Sequence, residues 1–278
     1  MLTLALSSWS FHRQLPYYGR GNWSPPREGA EISILDFPGI SATFGIADIE
    51  ICQAHLASTD AGYLAEVRAA VERAGCRVIN VPIDVGNLAE PDPEKREQEI
   101  ASILPWIDAA HALGSPAVRV NTGRPGEMDE AQALQIVADG YRRLAAVCDQ
   151  RDMYILLENH GGLSSSPAAI MQLLESVGAP NFRLCPDFGN FAPEVREEGL
   201  RAMLPHAFIV HAKIIDLDDA GHHGAFDLDR CVQIVAESGY SGALSIELEG
   251  TGDPYEGVRR ARAYLTSHLQ IAPIAQQV

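Results

Sequence analysis

Four short apolar runs between residues 154 and 250 each end on a residue that can bind a hard metal ion, and this pattern constrains the fold of the chain. The runs are Tyr154–Glu158, Phe182–Asp187, Phe208–His211 and Ala243–Glu247. Each run has strand length and is followed by turn residues and a helical pattern, which is typical of buried parallel strands joined by crossover helices. The candidate ligands are therefore expected at the carboxyl ends of consecutive strands, where barrels and open sheets of this class place their chemistry.

The first half of the chain repeats this alternation of strand and helix. Predicted strands there are Leu2–Trp9, Ala47–Ile51, Arg77–Ile83 and Ala117–Asn121, and predicted helices elsewhere include Glu31–Phe37 and Leu228–Ser238. The chain has 278 residues, and barrels of this class run to about 250 residues as one domain. Eight alternating pairs favour an α/β fold with one domain over residues 1–278, a single (β/α)8 TIM barrel. A seven-pair open sheet is the main alternative.

Residues 12–30, after the first predicted strand, carry aromatic residues, prolines and glycines without a steady period. A long irregular segment in a compact domain is usually a lid or a binding loop. Aromatic residues also favour subunit contacts, so an interface in a homo-oligomer is the alternative. The sequence leaves both alternatives open.

The acidic charge of the chain argues against nucleic acid as a partner. The formal net charge is −16, whereas affinity for nucleic acid comes largely from neutralising phosphates with basic residues. Five cysteines without a Cys-x-x-Cys pair are typical of a reducing compartment. The first residues lack the basic region of a signal peptide, and no apolar run approaches the ~20 residues of a membrane helix. We expect a cytoplasmic protein that contacts no membrane.

The four strand-end residues form a hard, oxygen-rich ligand set. They are Glu158, Asp187, His211 and Glu247. Three carboxylates and one imidazole suit Mn²⁺, Mg²⁺ or Co²⁺ better than the sulfur-rich shells of structural zinc. We expect one divalent ion, with Mn²⁺ first and Mg²⁺, Co²⁺ or Zn²⁺ as alternatives. An octahedral ion would keep two positions for adjacent oxygens of a polyol or hydroxyketone.

The second half of the chain resembles the xylose-isomerase-like TIM barrel family of sugar isomerases and epimerases, which also includes inosose dehydratase and endonuclease IV. The resemblance rests on the motifs Leu-Glu158-Asn-His160-Gly-Gly, Asp187-Phe-Gly-Asn190, His211-Ala-Lys213 and Gly239-Tyr-x-Gly-x-Leu-x-Ile-Glu247-x-Glu249-Gly. It implies that Glu158, Asp187, His211 and Glu247 bind one divalent metal. It also implies that Glu158 and Glu247 act as acid and base on opposite sides of the substrate.

Two departures from the family pattern concern the grip on the substrate. Epimerases of the family commonly carry a substrate-binding His three residues after the Asp, where this chain has Asn190. They commonly carry an Arg six residues after the metal His, where this chain has Leu217. Asn190 also stands where an endonuclease IV would need a histidine for its three-zinc cluster. With the acidic charge, this makes a DNA-repair function the least favoured alternative.

Several polar residues near predicted strand ends are candidates for substrate binding. They are Trp9, Glu50, His55, Asn121, Arg124, His160 and Lys213. Each has an ordinary structural alternative, such as a helix cap or a satisfied loop residue. Lys213 lies two residues beyond His211 and should share its face of the strand. There it either orients a metal ligand or substrate oxygen or forms an ion pair with Asp187 or Glu247.

The sequence favours a divalent-metal-dependent isomerase or epimerase that acts on an unphosphorylated keto sugar or polyol. In this reaction a proton next to a carbonyl is removed, and a cation stabilises the resulting enediolate. A dehydratase or lyase acting on a keto-inositol or 3-keto sugar would use the same ligands and is the main alternative. A non-catalytic sugar-binding barrel is a third.

Overall fold

The computed structural model of the protein describes residues 1–19, 31–218 and 221–272. Within these ranges, parallel strands alternate with α-helices. The strands are β1 Thr3–Ser7, β2 Asp48–Glu50, β3 Arg77–Ile83, β4 Ala117–Val120, β5 Tyr154–Glu158, β6 Phe182–Cys185, β7 Ile209–Ile214 and β8 Ala243–Leu248. The helices are α1 Phe37–Thr43, α2 Ala61–Arg73, α3 Pro93–Ala112, α4 Glu130–Asp149, α5 Pro167–Val177, α6 Pro193–Met203, α7 Leu228–Ser238 and α8 Pro254–His268.

The strands close into a barrel. They follow chain order round the sheet, and β1 pairs with both β2 and β8. Isolated parallel bridges join Leu184 to Ala207 and Asp187 to His211, so that β6 meets β7 and completes the circle. The predicted (β/α)8 TIM barrel is thereby confirmed, and the seven-pair open sheet is wrong.

Local sequence signals fix the ends of several helices. Asp92, Asp129 and Asp253 each accept hydrogen bonds from first-turn backbone N–H groups, of α3, α4 and α8 respectively. Such caps satisfy donors that the helix itself leaves unpaired. Helices α5 and α7 end at Gly178 and Gly239 in the left-handed conformation, which glycine adopts without steric cost.

The helix predicted near Glu31–Phe37 is misplaced, because α1 begins at Phe37. The carboxylate of Asp36 accepts hydrogen bonds from the backbone N–H and the hydroxyl of Ser33, both at 2.8 Å. These bonds stabilise a turn over the preceding residues. Pro38, whose fixed φ suits the first turn of a helix, then favours a start at Phe37.

The barrel interior changes from apolar to charged along the strands. Ala117, Leu156, Cys185 and Ile209 are fully buried and pack together on β4, β5, β6 and β7. The residues two positions later in the chain are charged or titratable: Arg119, Glu158, Asp187 and His211. Alternate residues of a strand share one face, so these charged side chains form the next layer above the apolar one. This layer lies at the carboxyl ends of the strands.

The irregular segment 12–30 is described only in part. Leu15 and Tyr17 are buried, and Tyr18 is half exposed, with its backbone N–H bonded to the carbonyl of Ala54. Residues 20–30 lie outside the described residues. The choice between a lid and a subunit contact therefore stays a prediction.

The cysteines occur as free thiols. Cys52, Cys148, Cys185 and Cys231 are buried, and Cys76 is partly buried. This agrees with the role of small core residues expected from their spacing. In the described ranges, every helix is too short or too polar to cross a membrane.

Candidate active site

The candidate ligands from the second half of the barrel lie in one cluster. Glu158, Asp187 and His211 each offer a ligand atom, and these atoms lie within 4.8 Å of one another. All three side chains are buried. Glu247 of β8 joins them, because its Oε2 lies 3.4 Å from His211 Nδ1, and Glu158 Oε1 lies 2.9 Å from the same nitrogen. The structure thus brings together the four residues predicted to bind the ion.

The electrostatics of this cluster fit a bound cation. Burial raises the pKa of Asp187 to about 7, although the Lys213 ammonium 3.6 Å from its Oδ2 acts in the opposite direction. This Oδ2 atom is buried without a hydrogen-bond partner among the described residues. A buried carboxylate oxygen without a donor is costly, and a divalent cation would compensate it. The donor set of three carboxylates and one imidazole suits such an ion.

Lys213 of β7 lies among the carboxylates that surround the ligand cluster. Its Nζ is 3.1 Å from Glu247 Oε1, 2.9 Å from Glu249 Oε1 and 3.6 Å from Asp187 Oδ2. Burial alone would lower the pKa of Lys213, but Asp187, Glu247 and Glu249 together raise it well above its usual value. The lysine is therefore charged and forms the ion pairs with Asp187 and Glu247 that the sequence offered as one alternative.

Arg119 of β4 supports Glu158 and was not identified from the sequence. Its Nε lies 3.0 Å from Glu158 Oε2, and its Nη1 lies 2.6 Å from Asp84 Oδ1. Burial would raise the pKa of Glu158, but Arg119, with His211, holds it well below its usual range. A signal was present, because an arginine inside the buried strand Ala117–Val120 needs a carboxylate partner.

The whole-chain comparison with known families agrees with this architecture. The sequence profile of the xylose isomerase-like TIM barrel family matches residues 39–268. The chain belongs to this family. The resemblance that rested on the strand-end motifs of the second half is confirmed, and the match extends it over most of the first half.

Individual relatives are more distant. A C-glycoside deglycosidase alpha subunit from Arthrobacter globiformis is 32% identical over 77 residues, which are 25% of this chain and 22% of that protein. The match thus spans about a fifth of the relative's length. An L-ribulose 3-epimerase superposes with a TM-score of 0.75 at 16% identity, covering 97% of this chain and 95% of the other. A 3-keto-D-glucoside 4-epimerase from E. coli superposes with a TM-score of 0.71 at 16% identity, covering 96% of this chain and 98% of the other. The solved structures show a shared fold.

The two positions that depart from the epimerases of the family have other roles in this chain. Asn190 donates from Nδ2 to Glu158 Oε1 at 3.3 Å and accepts from Lys213 Nζ at 3.0 Å. Asn190 therefore links the ammonium group of Lys213 to the carboxylate of Glu158. Leu217 is buried in the hydrophobic core. Neither residue supplies the basic side chain that commonly binds the substrate at this position in those epimerases.

Glu50 contacts His211 in the barrel interior. Its side chain is fully buried, and its Oε2 is 3.1 Å from His211 Nε2. Burial alone would raise the pKa of Glu50, but the charge of His211 and the hydrogen bonds from His211 and Asn80 hold it below its usual value. Its Oε1 is buried without a hydrogen-bond partner among the described residues, and a role for Glu50 in substrate binding stays a prediction.

Trp9 and His55 belong to an aromatic stack at the carboxyl ends of β1 and β2. The Trp9 ring lies 4.9 Å from the His12 ring and 6.0 Å from the His55 ring, nearly parallel to both. Nδ1 of His55 is 2.9 Å from the Ser8 hydroxyl. Its Nε2 is buried without a partner among the described residues. A role for Trp9 and His55 in substrate binding stays a prediction.

The remaining candidates differ in how close they lie to the ligand cluster. Asn121 donates to Asp84 and accepts from Arg119, so it belongs to the network that supports Glu158. His160 is exposed, and its charge helps to lower the pKa of Glu158 and of Asp84. Arg124 is exposed and hydrogen-bonded to Asn87 through its backbone N–H and carbonyl. Of these three, Asn121 is the most directly connected to the cluster.

The histidine pair in the loop after β7 is held by other contacts. His223 accepts the backbone N–H of Ile215 at its Nε2 and contacts the carbonyl of Phe226 through its Nδ1. His222 is exposed and contacts Asp218. Both ring nitrogens of His223 are thus used by the backbone, which argues against a second metal site at this pair.

Proposed function

We propose that the protein is a divalent-metal-dependent isomerase or epimerase acting on a keto sugar or a related polyol. One observation carries the proposal. Glu158 and Glu247, from different strands, approach the same nitrogen of His211 at 2.9 and 3.4 Å. Two carboxylates that flank one bound metal ion can take a proton from a substrate carbon and return it.

The residues divide into those that hold the ion and those that also move the proton. Glu158, Asp187, His211 and Glu247 would hold the ion. When bound, a divalent cation supplies a Lewis acid for the charge that develops on neighbouring substrate oxygens. One glutamate removes the proton next to the carbonyl, which gives an enediolate. The other returns a proton to the opposite face of the same carbon in an epimerase. In an isomerase the proton returns to the former carbonyl carbon, and the proton of the neighbouring hydroxyl passes to the former carbonyl oxygen.

The charge of the site favours an uncharged substrate. The carboxylates joined by contacts in this region are Glu50, Asp84, Glu158, Asp187, Glu247 and Glu249. Arg119 and Lys213 are the cations that contact them. Carboxylates outnumber these cations even with a divalent ion in place, so an additional phosphate would be repelled. We therefore propose an unphosphorylated sugar.

A second candidate is elimination from a keto-inositol or a 3-keto sugar, and the unequal surroundings of the two glutamates favour it. Glu158 is paired with the permanently charged guanidinium of Arg119, whereas Glu247 is paired with the ammonium of Lys213. Elimination needs one base and one acid instead of two equivalent bases, and different surroundings separate such roles. The name of the Arthrobacter relative, a deglycosidase, is consistent with this candidate.

Incubation with sugars in deuterated water separates these functions. The metal-loaded protein would be mixed with ketoses, inososes and 3-keto glycosides, and the products followed by mass spectrometry and NMR. Uptake of one deuteron without loss of a fragment identifies an isomerase or epimerase. Loss of water or of the aglycone identifies the lyase. If no sugar exchanges a proton while the protein still binds metal and sugar, the non-catalytic binding barrel replaces both.

The matched control is the double variant Glu158→Gln, Glu247→Gln, which should exchange no proton under the same conditions. A phosphorylated ketose in the panel tests the charge argument. Faster exchange of the phosphorylated sugar than of its free form would contradict the proposed substrate class without affecting the proposed chemistry.

A further inference from the structure

His211 lies between carboxylates at both of its ring nitrogens. Nδ1 faces Glu158 Oε1 at 2.9 Å and Glu247 Oε2 at 3.4 Å, whereas Nε2 faces Glu50 Oε2 at 3.1 Å. A neutral imidazole carries one N–H and one free lone pair. If the lone pair at Nδ1 serves the ion, the proton must be at Nε2. Glu50 is the acceptor at that position.

Glu50 is itself held in place within the barrel. Asn80 Nδ2 donates to Glu50 Oε2 at 2.6 Å, and both side chains are fully buried. A register shift between β2 and β3 at Ile49 and Glu50 brings Asn80 opposite Glu50. The same carboxylate oxygen thus accepts from Asn80 and faces His211 Nε2. This fixes the direction from which the imidazole is held.

Glu50 differs from Glu158 and Glu247 by the nitrogen of His211 that it contacts. It is fully buried and adjoins Nε2, whereas Glu158 and Glu247 face Nδ1, the nitrogen on the side of Asp187 and the proposed ion. A carboxylate that accepts the second N–H of a ligating histidine fixes its tautomer and ring orientation and makes the ligand more basic.

We infer that Glu50 is a positioning residue that orients His211, so that its Nδ1 is presented to the metal ion. The inference rests on the proposed function, because it takes His211 as a ligand. It assigns Glu50 a role in ion affinity in place of contact with the substrate. Loss of such a partner typically weakens metal binding about 10–100-fold.

The test measures Mn²⁺ affinity by calorimetry on the chelator-stripped full-length protein. Glu50→Leu removes the acceptor at similar size and should weaken Mn²⁺ binding about 10–100-fold. Glu50→Gln keeps one oxygen that can accept from both Asn80 and His211, so it should retain most of the affinity. The control is Asp48→Asn, on the same strand, whose buried carboxylate pairs with Arg77 instead of His211. It should bind Mn²⁺ as the unaltered protein does.

A second readout reports the imidazole directly. In protein loaded with diamagnetic Zn²⁺, the ¹⁵N shifts of His211 should show a proton at Nε2 and the metal at Nδ1, and Glu50→Leu should alter this pattern. If Glu50→Leu does not fold, Asn80→Ala replaces it, since it retains the carboxylate but removes its fixed donor. Asn80→Ala should weaken Mn²⁺ binding by a smaller factor than the roughly 10–100-fold expected for Glu50→Leu.

The outcomes are distinguishable. If the unaltered protein binds no divalent ion, the proposed function and this inference both fail. If it binds Mn²⁺ but Glu50→Leu, or Asn80→Ala in its place, binds equally well, only the role of Glu50 is overturned. If Asp48→Asn lost as much Mn²⁺ affinity as Glu50→Leu, the effect would come from disturbance of β2, and the role of Glu50 would again be overturned.

Discussion

Arg119 and His211 hold opposite oxygens of the same carboxylate, that of Glu158. Arg119 Nε lies 3.0 Å from Oε2, and His211 Nδ1 lies 2.9 Å from Oε1. The side chains of Arg119 and Glu158 are only 6% and 1% exposed, so water screens their attraction little. Arg119 therefore fixes both the charge and the orientation of Glu158.

Replacing Arg119 with Met should destabilise the metal-free protein by about 3–5 kcal/mol, because it removes the guanidinium that pairs with the buried carboxylate of Glu158. Arg119→Lys should cost less, since a positive charge remains. Urea unfolding measures both effects. The control is Arg143→Met, which breaks an exposed pair with Glu97 and should cost at most about 1 kcal/mol. A loss in Arg119→Met no larger than in this control would contradict the role given to Arg119.

Replacing Asp187 with Asn should lower ion affinity while the barrel stays folded. Asp187 Oδ1 accepts the backbone N–H groups of Gly189 and Asn190, and an amide oxygen can keep both bonds. The other oxygen becomes an NH₂ group, which cannot bind a cation. We expect Mn²⁺ affinity to fall at least as far as the roughly 10–100-fold seen when a supporting residue is lost. Asp108→Asn, at an exposed pair with Arg151, is the control for equilibrium dialysis, and equal retention of Mn²⁺ by both variants would refute the ligand assignment.

Glu158→Gln and Glu247→Gln should each retain much of the ion at saturating concentration and lose turnover. Glutamine keeps the shape and one coordinating oxygen but cannot accept the substrate proton. General acid–base catalysis contributes about 10²–10⁴-fold, so a loss of that order or larger is expected at each position. Single-turnover assays with metal-loaded protein measure it. Substrate deuteration without product in one variant alone would identify the first base, whereas near-normal turnover in both would exclude the mechanism.

His55 should make the protein lose stability as the pH falls. Burial, with the nearby charge of His12, lowers the pKa of His55 from 6.5 to about 3, although Asp84 opposes this. Between these two values the unfolded chain binds the proton and the folded protein does not. The contribution of His55 is thus lost as the pH falls below about 6.5, at about 1.4 kcal/mol per pH unit.

The variant His55→Asn lacks this titration, so its stability should fall less on acidification. The difference in unfolding free energy between the two proteins should narrow by about 2 kcal/mol between about pH 7 and pH 5. Urea unfolding at both pH values measures it, with His222→Asn, at an exposed histidine, as the control. If the difference in unfolding free energy stayed constant, His55 would bind the proton in the folded protein as readily as in the unfolded chain.

Local sequence patterns determined the order and type of the elements. β3 spans Arg77–Ile83 and α7 spans Leu228–Ser238, as their apolar periods and end signals predicted. These patterns suffice because the period of apolar residues and the caps are properties of neighbouring residues. The start of α1 at Phe37 was missed, since the bonds from Ser33 to Asp36 stabilise a turn in the segment that was predicted to be a helix.

The sequence by itself also determined which residues stand at the strand ends, including Glu158 and His211. What each of them contacts was decided by the closed barrel, because strands distant in the chain share one interior layer. Glu50 and His211 are 161 residues apart in the chain, yet their side chains meet at 3.1 Å. The register shift that places Asn80 beside Glu50 has no local sequence pattern. The roles of Glu50 and Arg119 therefore appear only in the tertiary structure, where burial requires each charge to have a partner.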